Sequence, residues 1–180
     1  MAARAAAEIG AATACVDPAQ MQALADAIIT AHRVALYGVG REGLMIRALA
    51  MRLYHLGLDA HMVGDMSTPP VGPGDLLLVS AGPGDLSTVN ALIGVAKGAG
   101  AGTACVTAQL DGPAPRACNT VLVIPAQTMA NDQGADSALL PMGSVFEGAQ
   151  FLTFELLILN LRDRIGNSAE TMRARHTNLE

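Results

Sequence analysis

The chain has no tryptophan, and tyrosine and phenylalanine together supply only 3% of its 180 residues. It thus lacks the aromatic platforms on which single-stranded nucleic acid stacks, and a formal net charge of −5 denies it the basic field that attracts a phosphate backbone. Cysteine is scarce as well. Cys15, Cys105 and Cys118 are an odd, widely spaced set without C-x-x-C or a matching histidine spacing, which argues against a disulfide framework and a zinc site and fits a reduced, cytoplasmic protein. Charged residues make up 15% of the chain against 51% hydrophobic. That is apolar for a lone domain of this size, so copies of the chain are expected to cover part of its surface.

Long hydrophobic runs are missing too. The oiliest stretch, residues 151–161, carries Thr153, Glu155 and Asn160 and is too short to span a bilayer. The alanine-rich start, residues 1–14, is interrupted by Glu8 and has no Leu/Val-rich segment, so it reads as a helix rather than a targeting peptide. Neither a membrane nor a nucleic acid is an expected partner.

What the chain does have is glycine, placed directly after apolar β-like runs. Val34–Tyr37 precedes Gly38-Val39-Gly40-Arg41-Glu42-Gly43, and residues 76–79 precede Ser80-Ala81-Gly82-Pro83-Gly84-Asp85. In a parallel α/β sheet, ligands bind beyond the carboxyl ends of the strands, where glycine lets the backbone come close and helix N-termini present unpaired N–H groups. Function is therefore expected between residues 38–43 and 80–88.

The length fits one domain, residues 1–180, with N-terminal helices over 1–31 and a tail over 167–180. Asp17-Pro18 caps and starts a helix running to about residue 31. Strands are expected at 34–37, 60–63, 76–80, 103–107 and 121–124, with helices at 43–56, 87–99 and 144–165. This alternation implies an α/β fold, a three-layer α/β/α sandwich with a five-stranded parallel sheet.

Three further stretches do not look like generic α/β sequence. Arg52 and His55 lie three residues apart on one helical face, as a partly exposed polar stripe would. Ser144 and Glu147 have the spacing of a capping box, or they place a general base on the first turn of a helix. The tail carries Arg175-His176-Thr177-Asn178-Leu179, solvated in a monomer but available to a neighbour's site in an oligomer.

Taken in order, Gly38-Val39-Gly40-Arg41, Met51-Arg52-Leu53-Tyr54-His55-Leu56-Gly57, Leu140-Pro141-Met142-Gly143-Ser144 with Phe146-Glu147, and Arg175-His176-Thr177-Asn178-Leu179 resemble the 6-phospho-3-hexuloisomerases of the sugar-isomerase (SIS) domain family, over nearly the whole chain. The resemblance implies a flavodoxin-like sandwich, a homotetramer, a site at a subunit boundary and interconversion of 3-hexulose 6-phosphate with fructose 6-phosphate. That reaction moves a carbonyl to the adjacent carbon through a cis-enediol and needs neither metal nor cofactor. Glu147 would be the base, and His176 would open the ring or serve the oxygens. Arg41 or Arg52 would steady negative charge, while Gly38, Gly40, Glu42, Ser80, Gly82, Gly84, Asp85, Ser87 and Thr88 would contact the substrate, a sugar or sugar phosphate.

The chain departs from the family at both loops. Glu42 replaces a serine, and Ala81-Gly82-Pro83-Gly84-Asp85-Leu86 replaces Ser-Gly-Ser-Gly-x-Thr, so hydroxyl donors are lost, Pro83 removes an N–H, and Glu42 and Asp85 repel a dianion unless they point away. Two other readings stay open. Gly38-x-Gly40-x-x-Gly43 with Asp65 matches a dinucleotide fingerprint, and the fold could also serve a sugar-binding or regulatory protein without turnover.

Overall fold

The computed structural model describes residues 1–132 and 138–179; Glu180 of the tail motif lies outside the described residues. Helices α1 (Ala2–Ala14) and α2 (Pro18–Thr30) precede β1 (Val34–Tyr37), α3 (Gly40–His55) and β2 (Ala60–Met62). They are followed by β3 (Leu76–Ser80), α4 (Ser87–Gly98), β4 (Gly102–Thr107), α5 (Pro113–Ala117), β5 (Thr120–Val123), α6 (Ser144–Ile165) and α7 (Ala169–Ala174). All five strands are parallel, in the order β2-β1-β3-β4-β5.

The central strands are apolar at most positions because both faces of the sheet are covered, with Ser80, Thr103 and Thr107 as buried polar exceptions. On β3 the alternation of side chains sends Leu76 and Leu78 into one core, with α1, α2, α3 and α6, and Leu77 and Val79 into the other, with α4 and α5. β5 lies at the edge of the sheet, and its Val123 N–H donates to Gln20 Oε1 of α2 at 2.8 Å, which satisfies a donor that the sheet leaves unpaired. Asp17 caps α2 through its side chain, with Pro18 at the first helical position.

The sequence-based boundaries shift in informative places. α3 begins at Gly40, three residues before its expected start, because Gly40 at φ +58° lets the chain turn straight from β1 into the helix. The expected loop at 111–113 runs into α5, and the tail contains α7, with a capping box between Ser168 and Thr171. Helix α6, at 22 residues, is long and apolar enough to cross a membrane, yet half of its apolar window is buried inside the protein, as a core helix is. Cys105 of β4 and Cys118 after α5, far apart in sequence, meet through their thiols. Their hydrogen bond and burial raise the pKa of the Cys105 thiol, and the same bond lowers that of Cys118.

Candidate active site

From β1 the chain crosses outward to β2, then returns past β1 to β3 and continues the other way through β4 and β5. The β1/β3 boundary is thus the switch point at which the following loops part and leave a crevice. A cavity of ≈ 390 Å³ opens there. Val39 to Glu42 line it from the β1 side, Pro83 and Leu86 from the β3 side, and Thr128, Met129 and residues 141–144, Phe146 and Glu147 from the segment after β5 and the start of α6.

Arg41 organises this wall. Its Nε lies 2.9 Å from Glu147 Oε2, while Nη1 donates to Ser144 Oγ at 3.0 Å and Nη2 to the Met142 carbonyl at 2.6 Å. The turn it grips is strained. Met142 has φ +56°, the one non-glycine residue with positive φ among the described residues, and Gly143 follows at +79°. The expected capping box does not form. Gly143 is the N-cap of α6 and makes no side-chain cap, and Ser144 Oγ donates to the Pro141 carbonyl instead. Glu147 is left to face the cavity, half-buried. Burial and the neighbouring Glu42 raise its pKa, and Arg41 pulls it back toward the usual carboxylate range.

Glu42, on the first turn of α3, turns inward rather than toward solvent. Its Oε2 accepts from Ser80 Oγ at 2.5 Å and from the Gly82 N–H at 2.9 Å. Ser80 accepts in turn from Gln150 Nε2 of α6 at 2.8 Å, and Gln150 is fully buried. Burial outweighs these two donors and raises the pKa of Glu42.

Other expected contacts fall elsewhere. Gly38 and Gly43 pack backbone to backbone, where a Cβ at 43 would meet the Gly38 carbonyl oxygen at 2.5 Å, and Gly84 packs in the same way on Gly112. Asp85 points away from the cavity and accepts from Asn90 Nδ2 at 2.7 Å, and Ser87 and Thr88 are exposed on α4, outside the cavity lining. Asp65 pairs with Arg47 at 3.6 Å. Arg52 reaches Glu155 of α6 at 3.0 Å, joining two helices rather than facing the cavity.

The polar stripe expected at Arg52 and His55 is corrected at His55, which is buried because the tail folds over it. Arg175 Nη1 donates to the His55 carbonyl at 3.0 Å, placing a cation at the C-terminus of α3, and the rings of His55 and His176 lie 5.3 Å apart. Glu147 and His176 therefore occupy opposite ends of α3 within one chain. Thr128, Met129 and Gln150 had not been singled out from sequence. The one signal for Thr128 and Met129 is the long aperiodic segment after β5, which must begin at the carboxyl edge of the sheet.

Among solved structures, a Methanococcus jannaschii protein whose crystal structure infers a molecular function of 3-hexulose-6-phosphate isomerase superposes with a TM-score of 0.80 at 28% identity, over 89% of this chain and 86% of that one. A parallel sheet of this order, with its crevice at the β1/β3 switch, places the protein among the SIS-domain sugar isomerases. It is 40% identical over 173 residues to the 3-hexulose-6-phosphate isomerase of Mycobacterium gastri (96% of this chain, 86% of that one) and 32% identical over 157 residues to that of Bacillus subtilis (87% and 85%). The chain belongs to the 3-hexulose-6-phosphate isomerase family, although no family model matches it.

Proposed function

We propose that the protein interconverts a 3-ketohexose phosphate and its 2-keto isomer, 3-hexulose 6-phosphate and fructose 6-phosphate, in the cavity at the β1/β3 switch. The observation that carries this reading is Glu147, a half-buried carboxylate on the cavity wall, oriented by Arg41 at 2.9 Å. A carboxylate so placed lifts the proton from the hydroxyl-bearing carbon beside the carbonyl; that C–H pair forms the C=C of a cis-enediol as the carbonyl oxygen takes up a proton, and the proton is then delivered to the former carbonyl carbon as the adjacent hydroxyl gives up its own to become the new carbonyl. Arg41 steadies the charge that develops on the oxygens. His176 serves those oxygens from a neighbouring subunit, since α3 separates it from its own chain's Glu147 by about 20 Å at 1.5 Å per residue.

The chain acts as one SIS domain of a homotetramer, in a reduced, cytoplasmic setting. Support for the assembly comes from an apolar stripe on α6 (Leu152, Leu156, Leu159) beside Leu44 and Met51 of α3, all exposed in the single chain. Assay of fructose 6-phosphate formation from 3-hexulose 6-phosphate tests the reading, and binding without turnover would favour a regulatory sugar-binding role instead.

A further inference from the structure

Two of the three cysteines meet on the face of the sheet opposite α6. Cys105 is buried on β4 in the core that α4 and α5 cover, and Cys118, the C-cap of α5, packs against the same core while staying partly exposed. Their thiols are in hydrogen-bond contact. The fold holds them there. Next to Cys118, the Asn119 N–H donates to the Thr103 carbonyl at 3.0 Å, and Asn119 Oδ1 accepts from the Thr103 N–H at 3.0 Å, so the chain leaving α5 is fixed to β4 two residues from Cys105.

The two thiols differ in surroundings. Lys97 of α4 donates to the Ala117 carbonyl at 2.9 Å, which brings its ammonium beside Cys118. The bond between the thiols and this cation favour the charged form of Cys118, whereas the same bond and burial keep Cys105 protonated. A partly exposed, activated sulfur with a buried thiol against it has the layout of an attacking and a resolving cysteine.

We propose that Cys118 and Cys105 form a modification site for hydroperoxides, at which Cys118 takes an oxygen atom and Cys105 then closes a reversible disulfide. In the first step the Cys118 sulfur attacks one peroxide oxygen: an S–O bond forms, the O–O bond breaks, the sulfur loses two electrons, and the other oxygen leaves as water (or an alcohol) after taking up the thiol proton. In the second the Cys105 sulfur attacks that of Cys118. The S–S bond forms, the S–O bond breaks, and the departing hydroxyl leaves as water with the Cys105 proton. A transient bond of this kind suits a reducing setting, where cellular thiols return it to the dithiol. It would form beneath the cavity wall, because the 105–118 segment supports the turn after β3. The Ala108 N–H donates to the Gly82 carbonyl at 3.1 Å and the Ala114 N–H to the Gly84 carbonyl at 3.0 Å, and Pro83 between them lines the cavity.

Peroxide titration of the reduced protein tests the proposal. After exposure to increasing hydrogen peroxide, free thiols are blocked and the protein is digested with trypsin without reductant and read by mass. Trypsin cuts after Lys97 and Arg116, so Cys105 and Cys118 fall in separate peptides that only a disulfide joins. The joined pair is expected at about one-tenth of the peroxide that oxidises Cys15, which is exposed at the end of α1, and dithiothreitol should part it. Cys118→Ser should leave Cys105 reduced under the same conditions. Cys105→Ala should stop at a sulfenic acid on Cys118, trapped with dimedone; should that core variant fail to fold, Cys118→Ser carries the test alone. Absence of the joined pair at peroxide levels that oxidise Cys15, or oxidation of Cys105 persisting in Cys118→Ser, overturns the proposal.

Discussion

Replacing Glu147 with glutamine keeps the shape of the side chain and removes its ability to take a proton. General base catalysis contributes about 10²–10⁴-fold, so kcat should fall by that factor, equivalent to about 3–5 kcal/mol of barrier. The fold should hardly notice. The Arg41–Glu147 pair is short, at 2.9 Å, but the Arg41 side chain is 50% exposed, and glutamine still offers an oxygen to Arg41 Nε. Such a pair is worth about 1 kcal/mol at most, a shift in Tm of about 2–4 °C for a chain of this size. The pH profile adds a signature that no structural defect would imitate. Burial raises the pKa of Glu147 above 4.5, so the acid limb of kcat/KM in wild type should lie above that value and vanish in the variant. Glu42 contributes to that rise, so Glu42→Gln should move the limb downward. Stopped assays of fructose 6-phosphate formation across pH, with thermal melts alongside, make the comparison. A kcat within about threefold of wild type would remove Glu147 from the chemistry.

Burial holds the Glu42 carboxyl above 4.5, so folding favours its protonated form; the penalty on the charged form is absent below the unfolded value and sets in as pH rises through the folded one. Glu42→Gln should accordingly raise Tm at about pH 7.5 and leave it unchanged at about pH 4, and an equal shift at both would contradict the assignment of the pKa to burial. Leu156→Asp, on the exposed stripe of α6, should dissociate the assembly with little loss of monomer stability, read as a fall in mass by light scattering; an unchanged mass would place the interface elsewhere. Glu147→Gln and His176→Ala subunits, each expected to be inactive alone, should recover about one quarter of wild-type activity when co-assembled at random if each site draws its histidine from a neighbour, and none if it draws both residues from one chain.

The sheet was legible because burial on both faces leaves a run of apolar residues that needs no long-range information: β1 and β3 have the expected bounds, as does α6, which ends at Gly166. The site was legible only as a neighbourhood. Residues 38–43 and 80–88 do flank the crevice, but which side chains face it depends on partners about a hundred residues away. Ser144 and Glu147 show why. Local spacing favours a capping box, and Arg41, reaching across from α3, takes both side chains instead. Glu42 could be read from sequence as a repelling charge, yet the fate of that charge was fixed by Ser80 and Gly82, which only the fold brings within 3 Å. His55 was misread for the same reason, since its burial comes from a tail that periodicity does not connect to α3.

Helix α3 ties these observations together. Its first turn supplies Arg41 and Glu42 to the cavity, and its C-terminus is closed by Arg175 and packed with His55 against His176. A rigid helix cannot bend its two ends onto one ligand, so a mechanism that uses both Glu147 and His176 requires a second chain whose tail end meets the first chain's cavity end. The apolar stripe lies along α6 and the flank of α3, the surface through which such a pairing would pass, and Arg52–Glu155 fixes those two helices to each other at 3.0 Å. In the proposed assembly Arg52 would act by holding α3 to α6 rather than through the substrate, and the tail would have two separable parts: Arg175, which donates to the His55 carbonyl at the end of its own α3, and His176, which that end carries toward the neighbour.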